Sequence, residues 1–387
     1  MGRYGENIRK RKDGRWEGRY KTFDEHKGKW VYCSVYGHAY KEVKEKLTKA
    51  KIGIPYQALK KQVQNMDNSQ KNDGKTSITV LFSQAAMEWL GEIADKRKYS
   101  TYVKYNTVYQ NHLAAVIGSC QISAAEAPKL KETVTAYLSE GTLSESLQKS
   151  IFCIANQVLD FANKNYGIGI PLLERLPVKP KKKMVGTLSK SEQARLLSGS
   201  YQRMDKFKLA VVLCLYTGLR LGELCALQWK DLDFEGMTLN VERTVQRVAV
   251  QGCQTKTILL ETDPKSESSK RVIPVTAEIL KLLLPFKGTQ TYVFGGRKPF
   301  DPRTMQYRFQ RMLKEEGIDS RNFHILRHTF ATNCIESGMD VKALSEILGH
   351  SDVKITLNRY VHPTMGLKRK QLGMLTDFYG QICGQAA

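Results

Sequence analysis

The sequence predicts a mainly α chain with small β-sheets, an α+β class built from three parts. Three observations carry this. The chain has 387 residues, more than one ordinary domain holds. Two stretches, 62–76 and 171–187, are polar or rich in Pro and Lys and read as linkers. Elsewhere apolar residues recur mostly at helical spacing, while strand-like runs are confined to the N-terminus and to 238–275. The expected order is a three-stranded sheet plus a helix in 1–65, a helical domain over 77–174, and a helical domain with a small antiparallel sheet over 187–387.

Within the first part, "KRKDGRWEGRYKTFDEHKGKWVYCSVYG" reads as strands broken by turns. Asp13-Gly14 and Lys27-Gly28 mark two hairpin turns, and Trp16, Tyr20, Trp30 and Tyr32 favour strands. "AYKEVKEKLTKAK" then predicts a helix, with Val43 and Leu47 spaced i,i+4. In the second part, "LFSQAAMEWLGEIA", "STYVKYNTVYQNHLAAVIG", "APKLKETVTAYLSE" and "SESLQKSIFCIANQVLDFANKNYG" predict helices, the last ending at Gly167. Tyr102, Tyr105, Tyr109 and His112 form a stripe at helical spacing; core packing is its first reading and contact with bases its second. In the third part, Ser189-x-x-Glu192 is a capping box for "SKSEQARLLSG", and "FKLAVVLCLYTG" is a helix stopped by Gly218. β-Branched segments follow over 238–275, and helices return at "TAEILKLLL" and "PRTMQYRFQRMLKEEG".

Composition narrows the function. Hydrophobic residues make up 41% of the chain, yet no run approaches the ~18 apolar residues of a membrane span. The N-terminus lacks the apolar stretch of a secretory signal, and Glu6 breaks the myristoylation pattern that Gly2 would open. Eight cysteines contain no CxxC pair, so inert thiols in a reducing cytoplasm are expected. The dominant feature is charge: 61 Lys and Arg against 38 Asp and Glu leave +23. Residues 1–61 hold 17 of the basic and 7 of the acidic residues, nearly half of the excess. Such a field favours a polyanion, and without a basic amphipathic helix or lipid anchor the expected partner is nucleic acid rather than membrane.

Several chemistries lack their motifs: no GxxxxGK[ST] phosphate loop, no HExxH, no GxSxG elbow, and no evident carboxylate triad for a divalent metal. What the third part offers is a set of phosphate-handling side chains. "HILRH" puts His324 and Arg327 three apart, on one face of a helix, where Arg can fork onto two phosphate oxygens and His can donate or move a proton. "TGLRLGEL" puts Arg220 at a helix start, with Glu223 placed to hold its guanidinium. Lys265 sits in a turn between strand-like flanks 255–261 and 271–275, read as a hairpin tip, with Lys256 and Lys270 as neighbouring candidates for a general acid. "LGHSDVKITLNRYVH" adds His350 and, ten residues on, Tyr360, whose phenol could attack phosphorus if arginines stabilise the developing charge. Each residue alone also reads as a cap, an ion pair or a solvated charge.

Their order is the stronger signal. Arg220 in "TGLRLGEL", Lys265 on its turn, His324 and Arg327 in "HILRH", His350 in "LGH" and then Tyr360 resemble the tyrosine recombinase (phage-type integrase) family. The 23-residue step from Arg327 to His350 fits it as well. The resemblance implies that Arg220, Lys265, His324, Arg327, His350 and Tyr360 are catalytic, with Glu223 the supporting carboxylate and no metal or cofactor. It covers about 187–375 by motif and 77–174, the core-binding domain, by architecture. "KRKDGRWEGRY" is similar to arm-binding domains of conjugative-transposon integrases. Double-stranded DNA at core and arm-type sites, a synaptic tetramer, and an excisionase or DNA-bending accessory protein are the implied partners, in the bacterial cytoplasm. The tail bearing Phe378, Tyr379 and Ile382 would pack onto a neighbouring subunit. A type IB topoisomerase and a non-catalytic DNA-binding regulator on the same fold are the rival readings.

Overall fold

In a computed structural model of the chain, the described residues are 7–50 with short breaks, 80–140, 143–174, 186–250 except 203, 257–264, 267–361, and scattered positions up to 379. Both expected linkers fall largely outside them, as do Lys256, Lys265, Phe378 and Ile382. The chain divides into two compact units, 1–181 with 248–258, and 182–247 with 259–387. No helix among the described residues is long and apolar enough to cross a membrane.

In the first unit, β1 (Ile8–Lys10), β2 (Trp16–Asp24) and β3 (Lys29–Gly37) form an antiparallel sheet in the order β1-β2-β3. Gly14, at φ +81°, supplies the left-handed backbone of the first turn. Helical residues between 40 and 50 bury Val43 and Leu47 on one face of this sheet, over Gly18, where a Cβ would come within 2.8 Å of Val43. The other face carries cations on tyrosines: Arg19 and Lys21 lie over Tyr32, Arg11 and Arg15 over Tyr36.

The helical part of this unit holds β4 (Val80–Leu81), α1 (Phe82–Lys96), α2 (Tyr99–Val108), a π-helical turn (Tyr109–Leu113), α3 (Ala114–Ile117), β5 (Gln121–Ile122), α4 (Ala127–Ser139) and α5 (Glu145–Tyr166). Ser144 caps α5, and Gly167 ends it at φ +66°. Phe82, Leu90, Leu113, Ile151, Ile154 and Leu159 centre its core. The tyrosine stripe belongs to that core: Tyr102 and Tyr109 are buried, Tyr105 stacks on Trp89, and His112 hydrogen-bonds Tyr137. The one long helix expected over 100–118 is interrupted by the π turn.

The second unit runs α6 (Lys190–Gln202), α7 (Lys206–Thr217), α8 (Leu221–Ala226), β6 (Leu232–Asp233), β7 (Thr238–Val241), β8 (Thr244–Ala249), β9 (Thr257–Thr262), β10 (Arg271–Pro274), α9 (Ala277–Leu283), α10 (Pro302–Glu315), α11 (Ile325–Glu336), α12 (Val341–Leu348) and α13 (Val353–Tyr360), with 248–249 of β8 and 257–258 of β9 counted in the first unit. The capping box holds: Ser189 N donates to Glu192 Oε2 at 2.7 Å and Glu192 N donates to Ser189 Oγ at 3.2 Å. Helix α7 is apolar all round and is the centre of the core, with Leu209 through Leu215 buried.

One strand pairing differs from expectation. The flanks of the Lys265 turn do not pair with each other: β9 pairs with β8, whereas β10 pairs with β7 in a sheet ordered β10-β7-β6. The reason is burial. Ile273 of β10 faces Leu239 of β7 across the ladder, and both sit in the main core. The strands on either side of position 265 therefore belong to two different sheets rather than to one hairpin, and Lys265 itself lies outside the described residues.

Gly218 ends α7 at φ +64°, and a Cβ there would lie 2.5 Å from Phe330 and 2.9 Å from Leu348. Gly218→Ala is expected to cost about 1–2 kcal/mol for the left-handed backbone and about 1–3 kcal/mol for overpacking. Calorimetry should show a fall of several degrees in melting temperature; an unchanged value would mean that the turn relaxes freely.

Candidate active site

Three chain turns bring the expected residues together in the second unit. The first is the break between α7 and α8. Gly218 reverses the chain, and Arg220 becomes the residue before the first turn of α8, with Glu223 three residues on. Glu223 accepts from Arg220 N at 3.0 Å and from Arg220 Nη1 at 2.7 Å. It is 4% exposed, and a second arginine shares it: Arg271 donates through Nη1 at 3.2 Å and Nη2 at 2.9 Å. Burial alone would raise this carboxyl, but Arg271 and Arg220 hold it below the usual range, so it is ionised.

The second turn is the start of α11. His324 precedes the helix, and Arg327 lies one turn in, 1% exposed. Arg327 donates from Nη1 to the carbonyl of Gly218 at 2.8 Å and from Nη2 to the carbonyl of Leu348 at 2.7 Å. It thus ties the ends of two helices, α7 and α12, to α11. The third turn follows α12, where Gly349 adopts φ +65° directly against Arg271; a Cβ there would meet the Arg271 side chain at 3.0 Å. Arg271 Nε donates to Ile347 O at 2.5 Å, and Arg220 Nη2 donates to Gly349 O at 3.1 Å. His350, next in line, is fixed on both sides: Nε2 lies 3.0 Å from Arg327 Nη2 and Nδ1 lies 2.8 Å from the buried Thr356 hydroxyl. A guanidinium can only donate, so Nε2 accepts and Nδ1–H donates to Thr356.

Tyr360 is the last residue of α13 and is 6% exposed. Its ring lies parallel to that of His350, with centroids 6.4 Å apart, and its hydroxyl sits 2.8 Å from Nδ1 of His328. Burial raises the phenol's pKa, while Arg327, Arg359 and Arg220 oppose that rise. The His328 ring in turn meets the His324 ring edge-on at 4.5 Å.

Arg220, His324, Arg327, His350 and Tyr360 therefore converge, with Glu223 held between Arg220 and Arg271. Lys265 falls outside the described residues, and Lys270, nearby in sequence, is exposed. Sequence reasoning missed three groups. Arg271 had no signal, since a basic residue opening a strand is ordinarily solvated. Thr356 had none either. His328 had one: it is the second histidine of "HILRH", i+4 from His324.

The electrostatics are those of an anion site. Burial and the neighbouring Arg220 lower the pKa of Arg327 to about 9. Burial, then Arg327 and Arg220, lower His324 and His350 to about 4. Burial, then His324 and Arg359, lower His328 to about 3. A phosphate would relieve this excess of positive charge. The same shifts predict a stability effect. Below about pH 6.5 an unfolded histidine binds a proton, whereas His324 in the fold does not until about pH 4. The contribution of the uncharged rings is complete above pH 6.5 and is lost as pH falls toward 4. Melting temperature should drop across that window, and less so in His324→Gln; equal slopes would remove the histidine contribution.

Residues 187–366 match the model of the phage integrase family. The matched stretch, just under half of the chain, carries a phage integrase domain and holds Arg220, His324, Arg327, His350 and Tyr360. Among relatives, it is 26% identical over 362 residues to the tyrosine recombinase XerC-like protein of Caldanaerobacter subterraneus subsp. tengcongensis, covering 84% of this chain and 91% of that one. It is 27% identical over 262 residues to the ICEBs1 integrase of Bacillus subtilis, covering 62% and 68%. Among solved structures, the Tn1549 transposon integrase in complex with a circular intermediate DNA superposes with TM-score 0.62 at 24% identity, covering 76% of this chain and 99% of that one. A lambda integrase tetramer bound to a Holliday junction gives 0.51 at 16%, covering 94% and 99%. These likenesses carry the tyrosine recombinase fold, helical with small antiparallel sheets.

Proposed function

We propose that this protein is a tyrosine recombinase, a site-specific DNA integrase that cuts and rejoins strands through a 3′-phosphotyrosine. The observation that carries the reading is the meeting of one buried guanidinium, Arg327, with His350 at 3.0 Å, whose ring lies parallel to that of Tyr360 with centroids 6.4 Å apart. Arg220 and Arg327 clamp the scissile phosphate, and His324 and His350 add hydrogen bonds. Tyr360 Oη attacks phosphorus, the bond to the 5′ oxygen breaks, and Lys265 supplies the proton that this oxygen takes. A 5′-hydroxyl from a partner strand reverses the step. One phosphate ester is exchanged for another, so the exchange draws on no nucleotide hydrolysis.

The division into an arm-type DNA-binding domain (1–65), a core-binding domain (77–174) and a catalytic domain (187–387) belongs to this reading. The cation-on-tyrosine face of the N-terminal sheet supports arm-type recognition, because a basic ribbon can enter a major groove. The substrate is double-stranded DNA held in a synaptic tetramer, and the reaction integrates and excises a mobile element in the cytoplasm, aided by an excisionase or DNA-bending protein.

The test tiles the DNA flanking this gene into nicked duplexes that trap a cut strand. One duplex should give an SDS-resistant adduct with the wild-type chain. Binding without any adduct would favour a non-catalytic regulator. Relaxation of a supercoiled plasmid lacking the flanking DNA would favour a topoisomerase.

A further inference from the structure

We propose that His328 is a catalytic residue, the group that takes the phenolic proton of Tyr360 during cleavage and returns it during rejoining. The inference rests on the recombinase reading above and assigns a role to a side chain outside the set that the sequence points to.

A short contact at one oxygen supports this role: Tyr360 Oη lies 2.8 Å from His328 Nδ1. With the hydroxyl hydrogen directed at Nδ1, that nitrogen presents a lone pair and the histidine's own proton sits on Nε2. The geometry is that of a general base on its nucleophile, within the ~2.6–3.2 Å such a pair requires. The two residues are 32 apart in the chain and meet because α11 and α13 pack together around Phe330, Ala331 and Leu348.

The groups around His328 explain how such a base is controlled. His324 and Arg327 face it from the start of α11, Arg359 and Tyr360 from α13, and His350 from the turn after α12. Burial first, then His324 and the cations Arg359 and Arg327, keep the ring uncharged in the free protein, with a pKa near 3. A phosphodiester seated between Arg220 and Arg327 brings negative charge to the same cations and raises the ring's proton affinity. The base thus strengthens when the substrate is in place. The step balances: the Oη proton passes to Nδ1, the Oη–P bond forms, and the P–O5′ bond breaks with protonation of the 5′ oxygen. Rejoining runs this backwards, with His328 protonating the departing tyrosinate.

The test compares single-turnover cleavage of the adduct-forming duplex by wild-type protein and His328→Ala, each carrying either tyrosine or a fluorinated tyrosine of lower pKa at position 360. His328→Ala should slow cleavage by roughly 10²–10⁴-fold with DNA binding retained. The more acidic phenol should restore most of that loss while changing the wild type little, because a phenol that ionises unaided needs no base. A merely structural role would leave the ratio of the two proteins the same with either phenol, and that result overturns the proposal, as does wild-type cleavage by His328→Ala. Should the alanine variant fail to fold, His328→Gln enters the same comparison. Independently of DNA, ¹⁵N-histidine NMR of the free protein should find Nδ1 of His328 unprotonated; a protonated Nδ1 would also overturn it. Absence of an adduct with the wild-type protein would instead sink the recombinase reading itself.

Discussion

Tyr360→Phe should abolish the covalent DNA adduct completely while leaving binding within a few-fold and the melting temperature within a few degrees. The substitution removes one oxygen from a side chain that is 6% exposed, so the ring keeps its packing in the cluster with Phe330, Leu344 and Leu348. What folding loses is the hydrogen bond to His328, worth roughly 1 kcal/mol. What chemistry loses is the only atom able to bond phosphorus in this reading. The stability and binding measurements separate a missing nucleophile from a broken fold. An adduct that persisted in this variant would place the nucleophile on another side chain.

Arg327→Ala should combine two large losses. In the proposed mechanism the guanidinium meets developing negative charge in a water-poor site, where one such donor is worth roughly 10²–10³ in rate and a phosphate-directed arginine about 10³–10⁵. Suicide-substrate cleavage should fall by about 10³-fold or more. Stability falls too, because the carbonyls of Gly218 and Leu348 lose their donor in a buried place. At about 1–3 kcal/mol for each stranded acceptor, the cost is about 2–6 kcal/mol. Arg327→Lys should rescue little, since a single ammonium cannot spread over two carbonyls and His350 as the planar fork does. Denaturant unfolding read beside cleavage checks both halves. Full stability in the alanine variant would remove the ligament role, and near-normal cleavage would remove the clamp.

Much of the site was legible because local chain chemistry announces it. Gly218 and Gly349 mark helix ends by their left-handed backbone, and the residues just past them, Arg220 and His350, are the ones delivered to the site. "HILRH" sits on a helix start whose period fixes which side chains share a face. What stayed hidden depends on partners far away in sequence. Arg271 meets Glu223 48 residues away, and nothing in "KRVIPV" foretells a buried guanidinium. The pairing of the strands around position 265 is hidden because alternation of apolar residues says which face is buried and not which strand lies alongside. The tyrosine stripe in α2 and the π turn was readable as core for the opposite reason, since its helical period alone decides burial.

The phenol at 360 meets the histidine at 328, the chain neighbour of the arginine at 327, within a single polypeptide. Under the proposed chemistry each copy of the protein is therefore armed by itself, and two crippled versions are not expected to mend each other. Mixing a form that lacks the phenol with one that lacks the guanidinium should yield no cutting at all, however the copies assemble on DNA. In an assembly that contains one intact copy among disabled ones, the break should fall on the strand which that copy holds.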